Sequence, residues 1–264
     1  MFLEPIDFAT MYCEHKKNTD FKGKSSSDWD AKSATMAASV INSPYVNDFI
    51  SRMKLTGDEV VLDIGCGPGT LAIPLAKRVK EVIAIDFSPK MLEELKAYAL
   101  REGVTNIKTY HLGWEDAWSI LPSADIAVAS RSMEVADMAK ALTKMSAQAS
   151  KRCYLTYKVG GSFIDKEILD FIGKKITTKP DCWYIPLILY AQGYLPTLEY
   201  IATQAGALRY STSDEFVQSL IWSVHHLDDE QQVKAREYYD TFIVGENRPP
   251  KPFTWAFIGW ETTK

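Results

Sequence analysis

Two acidic residues and three glycines carry the chemistry most readily read from this sequence. In Asp63-Ile64-Gly65-Cys66-Gly67-Pro68-Gly69 the glycines recur at every second position, and Asp86 lies 21 positions after Gly65. Glycine lets a backbone turn sharply and approach a ligand with no Cβ in the way. A carboxylate at the tip of the next strand can accept hydrogen bonds from both hydroxyls of a ribose. Dinucleotide sites use Gly-x-Gly-x-x-Gly, with a pyrophosphate on a helix N-terminus, and P-loops add a phosphate-binding lysine. This turn has neither feature, so it reads as a nucleotide-binding turn without the phosphates.

The flanking residues supply the elements that such a turn requires. Val60, Val61, Leu62 and Ile64 form a short, largely β-branched run suited to a buried parallel strand, and Leu71, Ile73, Leu75 and Ala76 open an apolar helix face. Val82 to Ile85 is the next strand, ending in Asp86. Taken together, Leu62 to Gly69 followed by Ile85-Asp86-Phe87-Ser88 resembles the first two motifs of class I S-adenosylmethionine-dependent methyltransferases, with a small-molecule, ubiquinone/menaquinone methyltransferase-like core. The resemblance rests on specific motifs over residues 56 to 160 and, for the last strand, on topology alone.

The resemblance implies an α/β fold, a Rossmann-like doubly wound seven-stranded sheet that is mostly parallel with an antiparallel last strand, plus a helical cap. It implies S-adenosylmethionine as cofactor and S-adenosylhomocysteine as product. The residues it assigns to the cofactor are Asp63, Gly65, Cys66, Gly67, Gly69, Asp86, Phe87, Met91, Trp114, Glu115 and Ser130. Gly113-Trp114-Glu115-Asp116 departs from the Gly-Asp-Ala-Glu-Asp often found at the adenine. Glu115 and Asp116 therefore read equally as caps of the following turn.

Composition narrows the function classes. The 264 residues are 46% apolar, enough for one globular core, and are read as a single domain. Net charge is −4 and the pI about 5.7, so no global basic field draws in nucleic acid. Cys13, Cys66, Cys153 and Cys182 form no Cys-x-x-Cys pair, and no signal peptide or run of 18 apolar residues occurs. The expectation is a cytoplasmic protein without membrane insertion. Cys13 and His15 lack the further ligands of a metal centre, so none is expected.

Periodicity places strand three over 107 to 112, strand four over 125 to 130, strand five over 153 to 157, strand six over 197 to 203 and strand seven over 253 to 260. Ser88-Pro89 starts a helix that Gly103 ends. Other helices are expected over 29 to 36, 44 to 53, 164 to 176, 183 to 192 and 229 to 242, with Thr212-x-x-Glu215 as a capping box. Residues 1 to 55 are read as a helical lid, 56 to 160 as the cofactor core, 161 to 250 as a helical substrate-region elaboration and 251 to 264 as the last strand.

For the acceptor, the candidates are Tyr12, Trp29, Arg131, Tyr157, Tyr184 and Tyr190. Each aromatic also reads as packing between helices and core. Arg131 suits a substrate anion, the methionyl carboxylate, or a salt bridge to Glu134 or Asp137. The Asn/Asp-Pro-Pro-Tyr/Phe motif of amino-group methyltransferases is absent after strand four. No residue is assigned as catalytic, since in-line methyl displacement can proceed by alignment and exclusion of water; His225 and His226 are further candidates for deprotonation. The expected function is methyl transfer to a small molecule. RNA or protein methylation, or cofactor binding without transfer, are the alternatives.

Overall fold

The computed structural model describes residues 6–21, 23–40, 43–202, 210–246 and 252–263. Apolar β-branched runs alternating with amphipathic helices build the first half: β1 (Val60–Ile64), α5 (Ala72–Ala76), β2 (Glu81–Asp86), α6 (Pro89–Arg101), β3 (Ile107–His111), β4 (Ala124–Ser130), α7 (Met138–Gln148) and β5 (Ala149–Lys158). Ahead of them come α1 (Phe8–Asn18), α2 (Ser26–Asp30), α3 (Ser33–Val40) and α4 (Pro44–Ser51). After them come α8 (Lys166–Phe171), α9 (Tyr184–Ala191), β6 (Thr197–Ala202), α10 (Ser213–Val224), α11 (Asp229–Tyr238), a π-helical segment (Tyr239–Gly245) and β7 (Thr254–Glu261).

The strands form one seven-stranded sheet in the order β3-β2-β1-β4-β5-β7-β6. β1 to β5 are mutually parallel, and β7 runs antiparallel to both β5 and β6. Chain order reverses between β1 and β4, where open α/β sheets bind ligands beyond the carboxyl ends of the strands. Leu62, Ile83, Ala127 and Leu155 face one core layer and Val61, Val82, Ile126 and Phe257 the other, so both sheet faces are covered. A third apolar cluster, with Phe21, Phe216, Val217 and Tyr239, joins the N-terminal segment to α8, α10 and α11.

Several helices are shorter than the periodicity suggests. The 29–36 helix divides into α2 and α3 around Ala31 and Lys32. α8 stops at Phe171 because Gly173 adopts a φ of 69°, and the Gly173 and Lys174 N–H groups donate back to the Asp170 and Leu169 carbonyls in a Schellman cap. At α10 the Thr212 hydroxyl accepts from Glu215 N at 3.1 Å, but the Glu215 carboxylate takes Ser211 N rather than closing the box. Ser88 caps α6 as expected, accepting from Met91 N at 3.2 Å. Thr203, given to strand six, lies outside the described residues. No helix among the described residues is long and apolar enough to cross a membrane.

Candidate functional site

The glycine turn is fixed by the strand beside it. The N–H groups of Gly65 and Cys66 both donate to the Ile85 carbonyl, at 2.8 and 3.0 Å, which binds the tip of β1 to the tip of β2. Gly65 has a φ of 67°, and a Cβ there would lie 2.4 Å from the Cβ of Ser132, whose hydroxyl donates to the Ile64 carbonyl at 2.6 Å. A Cβ at Gly67, φ 54°, would meet nothing within 4 Å. The first glycine thus admits the β4 loop, while the second leaves open ground above the turn.

Asp86 is tied into this turn. One carboxylate oxygen accepts from Gly67 N at 2.8 Å and the other from Ser88 N at 2.9 Å, and the residue is 5% exposed. Burial raises its pKa, with the two N–H groups pulling the other way. Each oxygen keeps a further lone pair for a hydroxyl donor. From the N-terminal segment, Asp30 accepts from the Ser88 hydroxyl at 2.5 Å and Ser26 donates to the Phe87 carbonyl at 2.9 Å, so α2 is fastened to the end of β2. Phe87 itself is partly exposed and Met91 is buried on α6.

Asp63 is the unusual group. It is 1% exposed, its Oδ2 has no hydrogen-bond partner, and burial, reinforced by Asp86, pushes its pKa up to about 7 against a backbone hydrogen bond at Ala72. Burial also raises the neighbouring Cys66 thiol. A buried carboxylate with a free oxygen seeks a cationic donor. S-adenosylmethionine brings an ammonium group and a ribose diol, and Asp63, the open ground at Gly67 and the spare lone pairs of Asp86 fit such a molecule.

The sign of the resulting pH dependence follows. Because the folded pKa of Asp63 lies above its unfolded value, the stability it contributes to the ligand-free protein is fully present below about pH 4. That contribution is lost as pH rises toward 7. An ammonium ligand favours the ionised form, so S-adenosylhomocysteine affinity is expected to rise by up to about tenfold per unit from pH 5 to 7 and then level off. Calorimetry in buffers of differing ionisation heat should show proton release below pH 7; a pH-independent affinity would remove Asp63 from the ligand.

After β3, where the resemblance puts the adenine, Trp114 donates its Nε1–H to the Ser132 carbonyl at 2.8 Å and packs on Trp118. Glu115 is exposed, and Asp116 accepts from Gly113 N at 2.7 Å, so capping of the turn falls to Asp116. His111 links strand to turn through the Phe87 carbonyl at 3.0 Å.

Beyond the carboxyl ends of β4 and β5, the Tyr45 hydroxyl lies 2.8 Å from Ser130 Oγ and 2.7 Å from Thr156 Oγ1. Tyr12 is fully buried, donates to the Val135 carbonyl at 2.9 Å and meets Tyr184 edge-on at 5.8 Å. Tyr157 interacts with Tyr12, and burial holds both phenols well above their ordinary pKa. Three of the acceptor candidates, Tyr12, Tyr157 and Tyr184, are therefore together. Trp29 instead packs edge-on against Trp222 of α10 at 5.9 Å, and Tyr190 is 69% exposed on α9. The salt bridge considered for Arg131 is not formed: Glu134 pairs with Lys16 and Lys179, and Asp137 caps α7 through Lys140 N. His225 and His226 are exposed at the end of α10. Among the described residues no group of three or more metal-ligating side chains occurs.

Residues 61–151 match the family model described as a methyltransferase domain. An uncharacterised protein of Haemophilus influenzae is 31% identical over 268 residues, covering all of both chains. Shorter stretches match a probable ribosomal RNA small subunit methyltransferase A of Methanosphaera stadtmanae, 36% identical over 69 residues and 26% of each chain. Trans-aconitate 2-methyltransferase of Rhodococcus jostii is 25% identical over 138 residues and 51% of each chain. Among solved structures, the YcgJ protein of Bacillus subtilis superposes with a TM-score of 0.56 at 17% identity, covering 82% of this chain and 97% of that one, which shows the shared fold. Because the family model spans the very strands that carry Asp63 and Asp86, similarity and site geometry meet at the same residues, and the chain belongs to the class I S-adenosylmethionine-dependent methyltransferases.

Proposed function

We propose that this methyltransferase acts on a small-molecule acceptor held beyond the carboxyl ends of β4 and β5. The observation that carries the reading is the roof over those ends. Tyr45 of α4 hydrogen-bonds to Ser130 and Thr156, and Tyr12 of α1 to the Val135 carbonyl, so the N-terminal helices sit directly on the acceptor side. Helices packed over the strand ends suit a small acceptor better than a polymer. A net charge of −4 gives no field for a polyanion. Residues 1 to 55 act as the lid, 56 to 160 as the cofactor core, 161 to 250 as the substrate region and 251 to 264 as the closing strand. Four free cysteines are in keeping with a cytoplasmic enzyme, the compartment of this reading.

S-adenosylmethionine supplies an activated methyl group on a sulfonium. The chain's own contribution is to orient the acceptor in line and exclude water. Tyr12 and Tyr157 stay protonated and act as hydrogen-bonding groups. Although burial opposes it, Lys179 and Lys16 hold the Glu134 pKa down, which makes it a weak base. The residues nominated for the cofactor, Asp63, Gly65, Cys66, Gly67, Gly69, Asp86, Phe87, Met91, Trp114, Glu115 and Ser130, keep that role here, Glu115 as an exposed rim residue.

The test is a labelling screen with the methyl group of S-adenosylmethionine radiolabelled, offered separately to a metabolite extract, total RNA and a protein extract. Label in the small-molecule fraction is expected. Label in RNA, the reading that the ribosomal RNA relative favours, would overturn the small-molecule acceptor; binding with no transfer to any fraction would leave a non-catalytic binder.

A further inference from the structure

Arg131 is a cation that the cofactor site does not explain. It follows β4 directly with a φ of 58°, its backbone N–H donating to Thr156 Oγ1 at 3.1 Å. Its guanidinium carbon lies 4.5 Å from the Tyr45 ring centroid and 6.0 Å from that of Trp255. A non-glycine residue in this conformation with a ring-faced guanidinium is held in one pose rather than left free. The carboxylates of its own loop are engaged elsewhere, Glu134 by Lys16 and Lys179 and Asp137 at the N-cap of α7. Among the described residues Arg131 makes no ion pair.

The surroundings extend the pattern. The Phe163 ring lies 5.9 Å from that of Trp255 and is 37% exposed. Lys158 Nζ is 5.9 Å and Lys179 Nζ 5.5 Å from the Phe163 centroid. Lys158 also forms no ion pair among the described residues, its Nζ donating to the Val159 carbonyl at 2.6 Å; Asp181 and Asp165 act on it at longer range, and Asp181 has its Oδ1 occupied by the N–H groups of Gly160 and Cys182. Glu134 bears on this strip with its charge already matched by two lysines. In a chain of net charge −4, three cations and three aromatic rings are thus strung along the carboxyl ends of β4 and β5.

We propose that this strip is the acceptor subsite and that the acceptor is an acidic small molecule. Arg131 takes its carboxylate through the planar guanidinium fork, Lys158 adds charge, and the partly exposed Phe163 ring, backed by the buried Trp255 and Tyr45, takes an unsaturated or aromatic body. This rests on the small-molecule reading above and narrows it to carboxylic acids.

The test is calorimetry on the full chain, first with S-adenosylhomocysteine and then, in its saturating presence, with trans-aconitate and 4-hydroxybenzoate, each against its neutral methyl ester. At least one acid is expected to bind, at least about tenfold more tightly than its ester. Arg131→Gln should weaken that acid about tenfold or more while leaving the ester and S-adenosylhomocysteine unchanged, the loss of its ring contacts lowering the melting temperature at most slightly. Binding by neither acid, equal binding of acid and ester, or an unaltered acid affinity in Arg131→Gln would overturn the proposal. Weaker S-adenosylhomocysteine binding in Arg131→Gln would overturn it too, by giving Arg131 to the cofactor's own carboxylate. Failure of the wild type to bind S-adenosylhomocysteine would instead remove the methyltransferase site itself.

Discussion

Gly65→Ala is expected to cost about 2 to 5 kcal/mol of stability, the sum of left-handed backbone strain and forced repacking of a filled space. Its Cβ would stand 2.4 Å from that of Ser132, which cannot retreat without giving up its hydrogen bond to the Ile64 carbonyl. Movement there would also disturb Trp114, whose indole is held by the Ser132 carbonyl. Gly67→Ala is the informative comparison. Its φ is 54° and its Cβ would meet nothing within 4 Å, so the protein should lose only about 1 to 2 kcal/mol to backbone strain. The added methyl nevertheless stands where the backbone is left open to the ligand, and S-adenosylhomocysteine binding should weaken about tenfold or more. Thermal melts with and without S-adenosylhomocysteine separate the two. Equal melting temperatures for Gly65→Ala and wild type would show that the β4 loop is not packed on the turn as described.

Asp86→Ala is expected to weaken S-adenosylhomocysteine binding by about 1 to 3 kcal/mol, the range for losing charge-assisted hydrogen bonds. It should also destabilise the ligand-free protein by a similar amount. The second effect arises because the carboxylate is the partner of two backbone donors, Gly67 N and Ser88 N, in a position only 5% exposed. A carboxylate waiting only for ribose hydroxyls would have been dispensable to the fold. Parallel urea unfolding and calorimetry of the variant measure the two losses. An unchanged dissociation constant would take Asp86 out of the site, and an unchanged unfolding midpoint would show that the turn holds without it.

What could be read in the sequence was local. The strand, turn and helix around Gly65 announce themselves because left-handed glycines, a buried β-branched run and an apolar helix face are contiguous. The Ser88 cap likewise needs only Met91, three residues on. The lost signals are those that depend on distant partners. Nothing near Asp30 indicates that it takes the hydroxyl of Ser88, 58 positions away, nor does anything near Glu134 foretell Lys16 and Lys179. The same blindness left Arg131 with open alternatives, of which the salt bridge falls because its carboxylate neighbours are taken. Tyr190 was misleading for a different reason. α9 is apolar all round, with Ile185, Ile188 and Leu189 inside and Trp183, Leu187 and Tyr190 outside, so composition gave no inward face. Gly173 was visible within the 164–176 stretch, yet apolar periodicity ran across it and hid the end of α8.

The measurement that bears most directly on the site is calorimetric titration of the purified chain with S-adenosylhomocysteine, S-adenosylmethionine, NAD and ATP at pH 8, where Asp63 is ionised. Micromolar-scale binding of the first two and none of NAD or ATP is predicted, because the turn offers an unpaired carboxylate and glycine-lined open ground without a phosphate-binding lysine. Tight NAD binding with no response to S-adenosylhomocysteine would contradict it.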